Sequence, residues 1–342
     1  MGRNPVPAEA CRMPENLSTN QNEQAQALQN GAGIASLTAG WIAVTGADRV
    51  RWLNGMVTNS VQALTPGDGA YSFLLTAQGR IQGDLTVWAE TDRLLLETTP
   101  QQVPAILAML DRFIIMDDVE LADQSEQWHG LTVIGPQAAD KLGTIGIAAR
   151  PSRLLKRQPV QWNGHALALI NAYSPQVPHF ELWSQNAATI DQLCSALEAA
   201  GATPCSPETL ETLRIQEGIP AYGTDIRDRD LPQETAQTRA LHFNKGCYLG
   251  QEIVERIRSR GNVHRTLTTF TLHGQAPAPG TPLEADGKTV GELTSIATHP
   301  VSGHIFALGV IRRETIDRGI TITYAGGTAT PASATEASTT AS

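Results

Sequence analysis

The segment KGCYLGQEIVERIRSRGNVHRTL, residues 245–267, places a lone cysteine between a lysine, two glycines and a helix-forming run. Ile253, Val254 and Ile257 recur at helical spacing, so a helix begins near Gly250 and Cys247 lies just before its N-terminus. The partial positive charge of a helix start and the Lys245 ammonium both favour a thiolate at that point. A reactive or metal-ligating Cys247 assisted by Lys245 fits that physics. An inert thiol buried in a glycine turn fits the same residues, because free cysteine is commonly buried. Further along, Arg256, Arg258, Arg260 and Arg265 with His264 form a basic cluster. It reads as a solvated helix face or as a contact for an anionic tail or an RNA backbone.

Working backwards, Ser206-Pro207-Glu208 starts a helix that carries Leu210 and Leu213 inward and stops at Gly218-Ile219-Pro220. Glu217 falls in its last turn, where the helix dipole disfavours an anion. Arg214, one turn earlier, can compensate it; alternatively Glu217 accepts two hydrogen bonds from a planar, amine-bearing ring. Ile190, Leu193, Cys194 and Leu197 form one apolar helical stripe ended by Gly201. Tyr71 to Thr76, Arg80 to Trp88 and Arg93 to Glu97 have the punctuation of an antiparallel meander, and Thr99-Pro100 then opens a helix with Val103, Ile106, Leu107 and Leu110. Trp41 to Val44 reads as a strand, with Thr45 and Asp48 spaced as a capping box. Residues 130–142 repeat that strand–glycine–helix plan, which implies two related α+β halves sharing one sheet system. From Leu267 the pattern changes to short strands broken by glycines, which suits a compact barrel. The organisation expected is a poorly ordered segment 1–33, an α+β body 34–264, a small β-barrel 265–324 and a poorly ordered tail 325–342.

The chain has 342 residues, 41% of them hydrophobic, enough for a large core. Its formal net charge of -9 gives no long-range attraction to nucleic acid or anionic membrane, so neither is expected as a partner. The four cysteines contain no C-x-x-C pair, so no cysteine cage for zinc or a cluster is written into the sequence. The first residues lack the apolar run of a signal peptide and no segment has the length of a membrane span; a cytoplasmic protein is expected.

The segments LRIQEGIP (213–220), LPQE (231–234) and 245–267, with VTGADRVRWLNGMVTNSV (44–61), YSFLLTAQGRIQGDL (71–85) and GELTSIATHPVSGHIFALGVIRR (291–313), resemble the YgfZ family. These are folate-binding relatives of the glycine cleavage T-protein, associated with iron-sulfur cluster assembly and tRNA modification. The resemblance implies an α+β body of pseudo-repeated antiparallel sheets and helices around a central folate cavity, closed by a C-terminal β-barrel. It implies that Glu217 holds the pterin ring and that Cys247 is the family's signature cysteine, offering one ligand to a transient iron-sulfur cluster. From the matched segments, Arg214, Tyr71, Asn59, Asp225 and Gln251 are further candidates for the folate site, with Trp41 a candidate for stacking on the ring. T-proteins carry an Asp-Asp pair in the second meander strand, where this chain has Gly83 and Asp84. Strand alternation then turns Asp84 away from the role of the first aspartate, which speaks against glycine cleavage. The function implied is a tetrahydrofolate-binding accessory protein, not a classical enzyme, for assembly or repair of iron-sulfur enzymes, with client or assembly proteins as partners. The alternative is a tetrahydrofolate-dependent aminomethyl or methyl transferase or demethylase, with Asp84 beside the cofactor; a scaffold with an empty cavity is a third.

Overall fold

The computed structural model describes residues 21–149, 153–261 and 263–332. Helix α1 (Gln21–Asn30) comes first. Its Ala25 and Leu28 are buried, and the Gln24 side-chain oxygen Oε1 accepts from Ser206 N and Thr209 Oγ1. The expectation of disorder through residue 33 is therefore corrected for 21–33: a polar surface composition concealed a two-residue apolar stripe that docks on a later helix. Residues 1–20 lie outside the described residues.

The body continues through β1 (Gly33–Leu37), β2 (Gly40–Thr45), α2 (Arg49–Asn54), β3 (Gly69–Leu75), β4 (Ile81–Ala89), β5 (Leu94–Thr98), α3 (Val103–Asp111), β6 (Glu120–Asp123), β7 (His129–Ile134) and α4 (Ala138–Thr144). It then runs through β8 (Lys156–Trp162), β9 (His165–Asn171), β10 (His179–Ser184), α5 (Ala187–Ala199), β11 (Thr203–Pro204), α6 (Pro207–Gln216) and α7 (Gln251–Arg260). The strands form two sheets, not one shared sheet: a five-stranded sheet in the order β3-β4-β5-β2-β6 and a six-stranded sheet in the order β11-β1-β7-β10-β9-β8. The expected repeat is present as one sheet per half.

Period-two alternation explains the layering. On β2, Ile42 and Val44 pack on α2 and α3, whereas Trp41 and Ala43 enter a cluster with Trp88, Leu95, Ile170 and Trp183 from both sheets. On β10, Phe180 and Leu182 pack against α4 and α5 while Trp183 joins that shared cluster. The result is helices, sheet, sheet, helices. Trp41, Trp88 and Trp183 are essentially inaccessible, and truncating any of them to alanine would cost ~3–5 kcal/mol. The expected capping box at Thr45 and Asp48 is absent. Asp48 is the N-cap of α2 without a side-chain cap, and its carboxylate accepts instead from Asp118 N.

The C-terminal unit consists of β12 (Arg265–Gly274), β13 (Pro282–Ala285), β14 (Lys288–Thr298), β15 (Ile305–Arg312), α8 (Arg313–Asp317), β16 (Ile322–Tyr324) and β17 (Gly327–Pro331). The strands close as a barrel in the order β12-β15-β14-β13-β16-β17 around Phe270, Leu283, Leu293, Ala307 and Ile311. Closure depends on β17, whose Gly327 to Pro331 pair with Gly274 to Phe270. The barrel thus extends past the expected limit at 324. An Ala-Thr-rich strand carries little hydrophobic signal, which is why composition placed it in the tail. Residues 333–342 lie outside the described residues.

Candidate functional site

The alternation that builds the layers also turns polar residues inward. On β5, Leu94 and Leu96 face the helices, so Glu97 faces the opposing sheet; on β10, Phe180 and Leu182 do so, leaving Glu181 inward. On β4, Leu85 and Val87 face the helices and Asp84 faces inward. These three carboxyl groups line a cavity of about 320 Å3 between the sheets, together with Tyr71, Tyr173 and Arg239.

Each carboxyl has a dedicated donor. The Trp88 indole donates to Glu97 Oε2 at 2.7 Å and the Trp183 indole to Glu181 Oε2 at 2.9 Å, one such pair from each half. Tyr71 Oη donates to Asp84 Oδ2 at 2.7 Å, and Gln102 Nε2 donates to Asp84 Oδ1 at 2.8 Å. Burial, reinforced by the neighbouring charge of Glu181, pushes Glu97 up to about 8. Glu97 therefore keeps its proton near neutral pH. Burial also pushes Tyr71 well above the usual phenol range, so it stays a hydrogen-bond donor.

Arg239 lies between two aromatic rings, its guanidinium 4.1 Å from the Tyr71 centroid and 3.7 Å from that of Tyr173. Burial lowers its pKa, and the ring faces replace the water it has lost. Beyond Arg239 a second cavity of about 360 Å3 shares Tyr71, Leu155, Tyr173 and Arg239 with the first and adds Asn59 and His242. Asn59 Nδ2 donates to the backbone oxygens of Tyr71 and Arg239, fixing this dividing wall.

The residues expected from sequence divide between this cavity and other roles. Tyr71 and Asp84 line the central cavity and Asn59 the adjoining one. Asp84 corrects the strand-alternation expectation. It is Gly83 that faces α3, where an added Cβ would meet Gln102 and Ile106, so the surviving carboxylate is the one in the cavity. Glu217 is buried outside it: Ser174 Oγ donates to both carboxylate oxygens at 2.7 Å, and Gln176 N and Val177 N donate to Oε1 at 3.2 Å. Those donors, not Arg214, offset its position at the end of α6.

Arg214 instead pairs with Glu211 and with Asp225 and donates to Ser295 Oγ. Asp225 accepts from Arg214, Ala221 N, Thr294 Oγ1 and Ser295 Oγ, so this pair fastens the barrel to the body. Gln251 Oε1 accepts from Tyr248 N within the turn before α7. Trp41 is sealed between the sheets, 5.1 Å from Trp183 and 5.5 Å from Trp128, and cannot stack on a ligand in the cavity. Glu97, Glu181, Tyr173 and Arg239 were missed. The signal for the two glutamates was a single acid at an inward position of an otherwise apolar strand.

The Lys245 ammonium does not accompany Cys247. It donates to the carbonyls of Asn54, Val57 and Asn59 at 2.6 Å each, with burial pushing it down to about 8. Tyr248 is buried, and Leu249 N donates to Gly55 O. Gly250 takes φ of +80°, and a Cβ there would come within 2.5 Å of Thr76 O, so this position requires glycine. Between these anchors Cys247 is exposed and free. Lys245 holds this turn to the end of α2 and the residues after it, which leaves Cys247 at the surface. Among the described residues no three His, Cys, Asp or Glu side chains come together as a metal site. No helix among them is long and apolar enough to cross a membrane.

Residues 7–245 match the model of the GCVT N-terminal domain, and residues 265–338 match that of the CAF17 C-terminal beta-barrel domain. A putative chloroplastic transferase of Arabidopsis thaliana is 28% identical over 89% of this chain and 71% of its own length. An aminomethyltransferase of Rubrobacter xylanophilus is 27% identical over 85% of this chain and 78% of its own. The crystal structure of the glycine cleavage system aminomethyltransferase T from Bartonella henselae superposes with a TM-score of 0.81 at 19% identity, covering 92% of this chain and 89% of that one. With its body matched over more than half of its length and its barrel matched separately, the chain belongs to the GCVT family and carries a CAF17-type C-terminal β-barrel.

Proposed function

We propose that this chain is a tetrahydrofolate-binding accessory protein of the YgfZ kind, serving assembly or repair of iron-sulfur enzymes, including tRNA-modifying ones, through Cys247. The observation that carries the folate reading is the set of three carboxyl groups, Asp84, Glu97 and Glu181, facing one cavity between aromatic walls. Such a set suits a flat ring that presents N–H donors, as a pterin does. Asp84 is oriented by Tyr71 and Gln102, and Glu97 and Glu181 by indole donors, so the acceptors are fixed before a ligand enters. Bound folate would supply one-carbon chemistry; this chain's residues orient the ring and keep it from water.

Cys247 supports the accessory part because it is exposed on an anchored turn, where a partner's cysteines or glutathione can complete a transient cluster. Lys245 donates to Asn59 O, and Asn59 donates to the wall formed by Tyr71 and Arg239, so the turn and the cavity share a support. A cell lacking this protein should recover activity of its iron-sulfur tRNA-modifying enzymes with the wild-type chain. Cys247→Ala, still binding tetrahydrofolate, should fail to restore it. Full rescue by that variant would remove the role of Cys247.

The inward position of Asp84 favours a second reading, a tetrahydrofolate-dependent aminomethyl or methyl transferase or demethylase. Purified protein converting an aminomethylated or methylated donor in the presence of tetrahydrofolate, with loss of turnover in Asp84→Asn, would establish it.

A further inference from the structure

The connection from β9 to β10, residues 172–178, begins at the central cavity and runs to the end of α6. Tyr173 lines both that cavity and the adjoining one, and its ring centroid lies 3.7 Å from the Arg239 guanidinium. Both residues are half-buried, so a ligand in the cavity can reach them. The residues that follow converge on one carboxylate. Ser174 Oγ donates to both oxygens of Glu217 at 2.7 Å, and Gln176 N and Val177 N donate to its Oε1 at 3.2 Å. Gln176 Nε2 adds a bond to Gln216 O at 3.3 Å.

Glu217 stands at an unfavourable place for an anion. It is the C-cap of α6, where the helix dipole repels negative charge, and it is only 7% exposed. A helix C-terminus lacks donors for its carbonyls, not acceptors, so the carboxylate does nothing for α6 itself. Burial pushes its carboxyl above the ordinary range, and the Ser174 hydroxyl and the two amides pull it back. The coupling is mutual: donors that stabilise the carboxylate are themselves fixed by it. Ile219 and Pro220, just beyond Glu217, also line the central cavity. The Glu217 contact therefore ties together two walls of that cavity, the one that follows α6 and the one that carries Tyr173. An irregular connection without such a tie would open locally at low cost.

We infer that Glu217 is a positioning residue of the central site. It touches no ligand itself; through Ser174, Gln176 and Val177 it fixes the strap that keeps Tyr173 on Arg239, and with it the wall on which the ligand rests. The inference depends on the folate reading of that cavity and adds to it that this wall is set before the ligand enters.

The test compares the full chain with Glu217→Gln, Glu217→Ala and Ser174→Ala in three measurements. These are anaerobic tetrahydrofolate affinity by calorimetry, amide exchange in 173–178, and the Arg239 Nε–H resonance, which the ring currents of Tyr71 and Tyr173 displace. Glutamine keeps an acceptor oxygen for the two amides, so Glu217→Gln should bind within about threefold of the parent, with the Arg239 resonance in place. Glu217→Ala should weaken binding about tenfold or more, speed exchange in the strap and move the Arg239 resonance. Ser174→Ala, in a half-exposed loop where it should fold as the parent does, should act in the same direction by about threefold. Glu217→Gln as damaging as Glu217→Ala, with the resonance unmoved in both, would make Glu217 a direct ligand contact and overturn the inference. Unchanged affinity and an unmoved resonance in Ser174→Ala would overturn it as well, even if Glu217→Ala does not fold. A parent that fails to bind tetrahydrofolate counts against the folate reading instead. The strap exchange and the Arg239 resonance, both read without ligand, then still decide whether Glu217 holds the wall.

Discussion

Replacing Glu97 by glutamine should stabilise the protein at neutral pH and leave it unchanged in acid. The native Glu97 carboxyl is pushed up to about 8, first by burial and then by Glu181, from an ordinary value of 4.5. At pH 7 the folded state therefore keeps a proton that the unfolded chain has released. Each pH unit over which this holds costs ~1.4 kcal/mol, so the interval from about 4.5 to 7 amounts to ~3 kcal/mol. The sign follows from proton counting: between 4.5 and 8 the folded state binds more protons than the unfolded state, so stability falls as pH rises through that window. Glutamine keeps an oxygen for the Trp88 indole and has no proton to lose. Urea unfolding at a series of pH values should show Glu97→Gln more stable than the parent by ~2–3 kcal/mol at pH 7 and equal to it near pH 4.5. A stability difference independent of pH, or a parent that gains stability from pH 5 to 7.5 relative to the variant, would refute the reasoning from a protonated Glu97.

Four further outcomes follow from other contacts. Lys245→Met should lower stability by ~2–4 kcal/mol and raise hydrogen exchange in the 245–250 turn, because three buried carbonyls lose their common donor. Asp225→Ala should cost ~3–5 kcal/mol and release the barrel to limited proteolysis, since Arg214 would be left partly buried beside the Thr294 and Ser295 hydroxyls. Gly83→Asp, which rebuilds an Asp-Asp pair, should destabilise the fold by ~2 kcal/mol or more without adding a carboxyl to the cavity, because the new side chain meets Gln102 and Ile106; a crystal structure of the variant checks both points. Iodoacetamide on the native chain should label Cys247 and spare Cys205, whose thiol is buried and pushed up to about 12; peptide mass spectrometry reads the difference.

The layered body, the meander, the apolar stripe of α5 and the closing barrel were legible because each rests on hydrophobic periodicity, which the sheets and helices obey. Strand alternation also carried the information that Glu97 and Glu181 point inward. Their meeting across the cavity was not legible, because it depends on how two sheets pack, a long-range fact with no local signal. Asp84 was misread because alternation was anchored to a family pattern; anchored to Leu85 and Val87, it would have turned Asp84 inward. Helical spacing allows Glu217 and Arg214 to pair, but Ser174 for the one and Ser295 of β14 for the other lie far away in sequence and offer each a different partner. Lys245 was read as a charge neighbour of Cys247 when its long stem reaches carbonyls nearly two hundred residues earlier.

The central claim is that the three carboxyl groups between the sheets receive a folate. Calorimetric titration of the full chain with tetrahydrofolate under anaerobic conditions tests it most directly, with Asp84→Ala and Glu181→Gln beside the parent. The account expects one site per chain, weakened at least tenfold in each variant while both remain folded. Undetectable heat at millimolar tetrahydrofolate, or unchanged affinity in the folded variants, would contradict it.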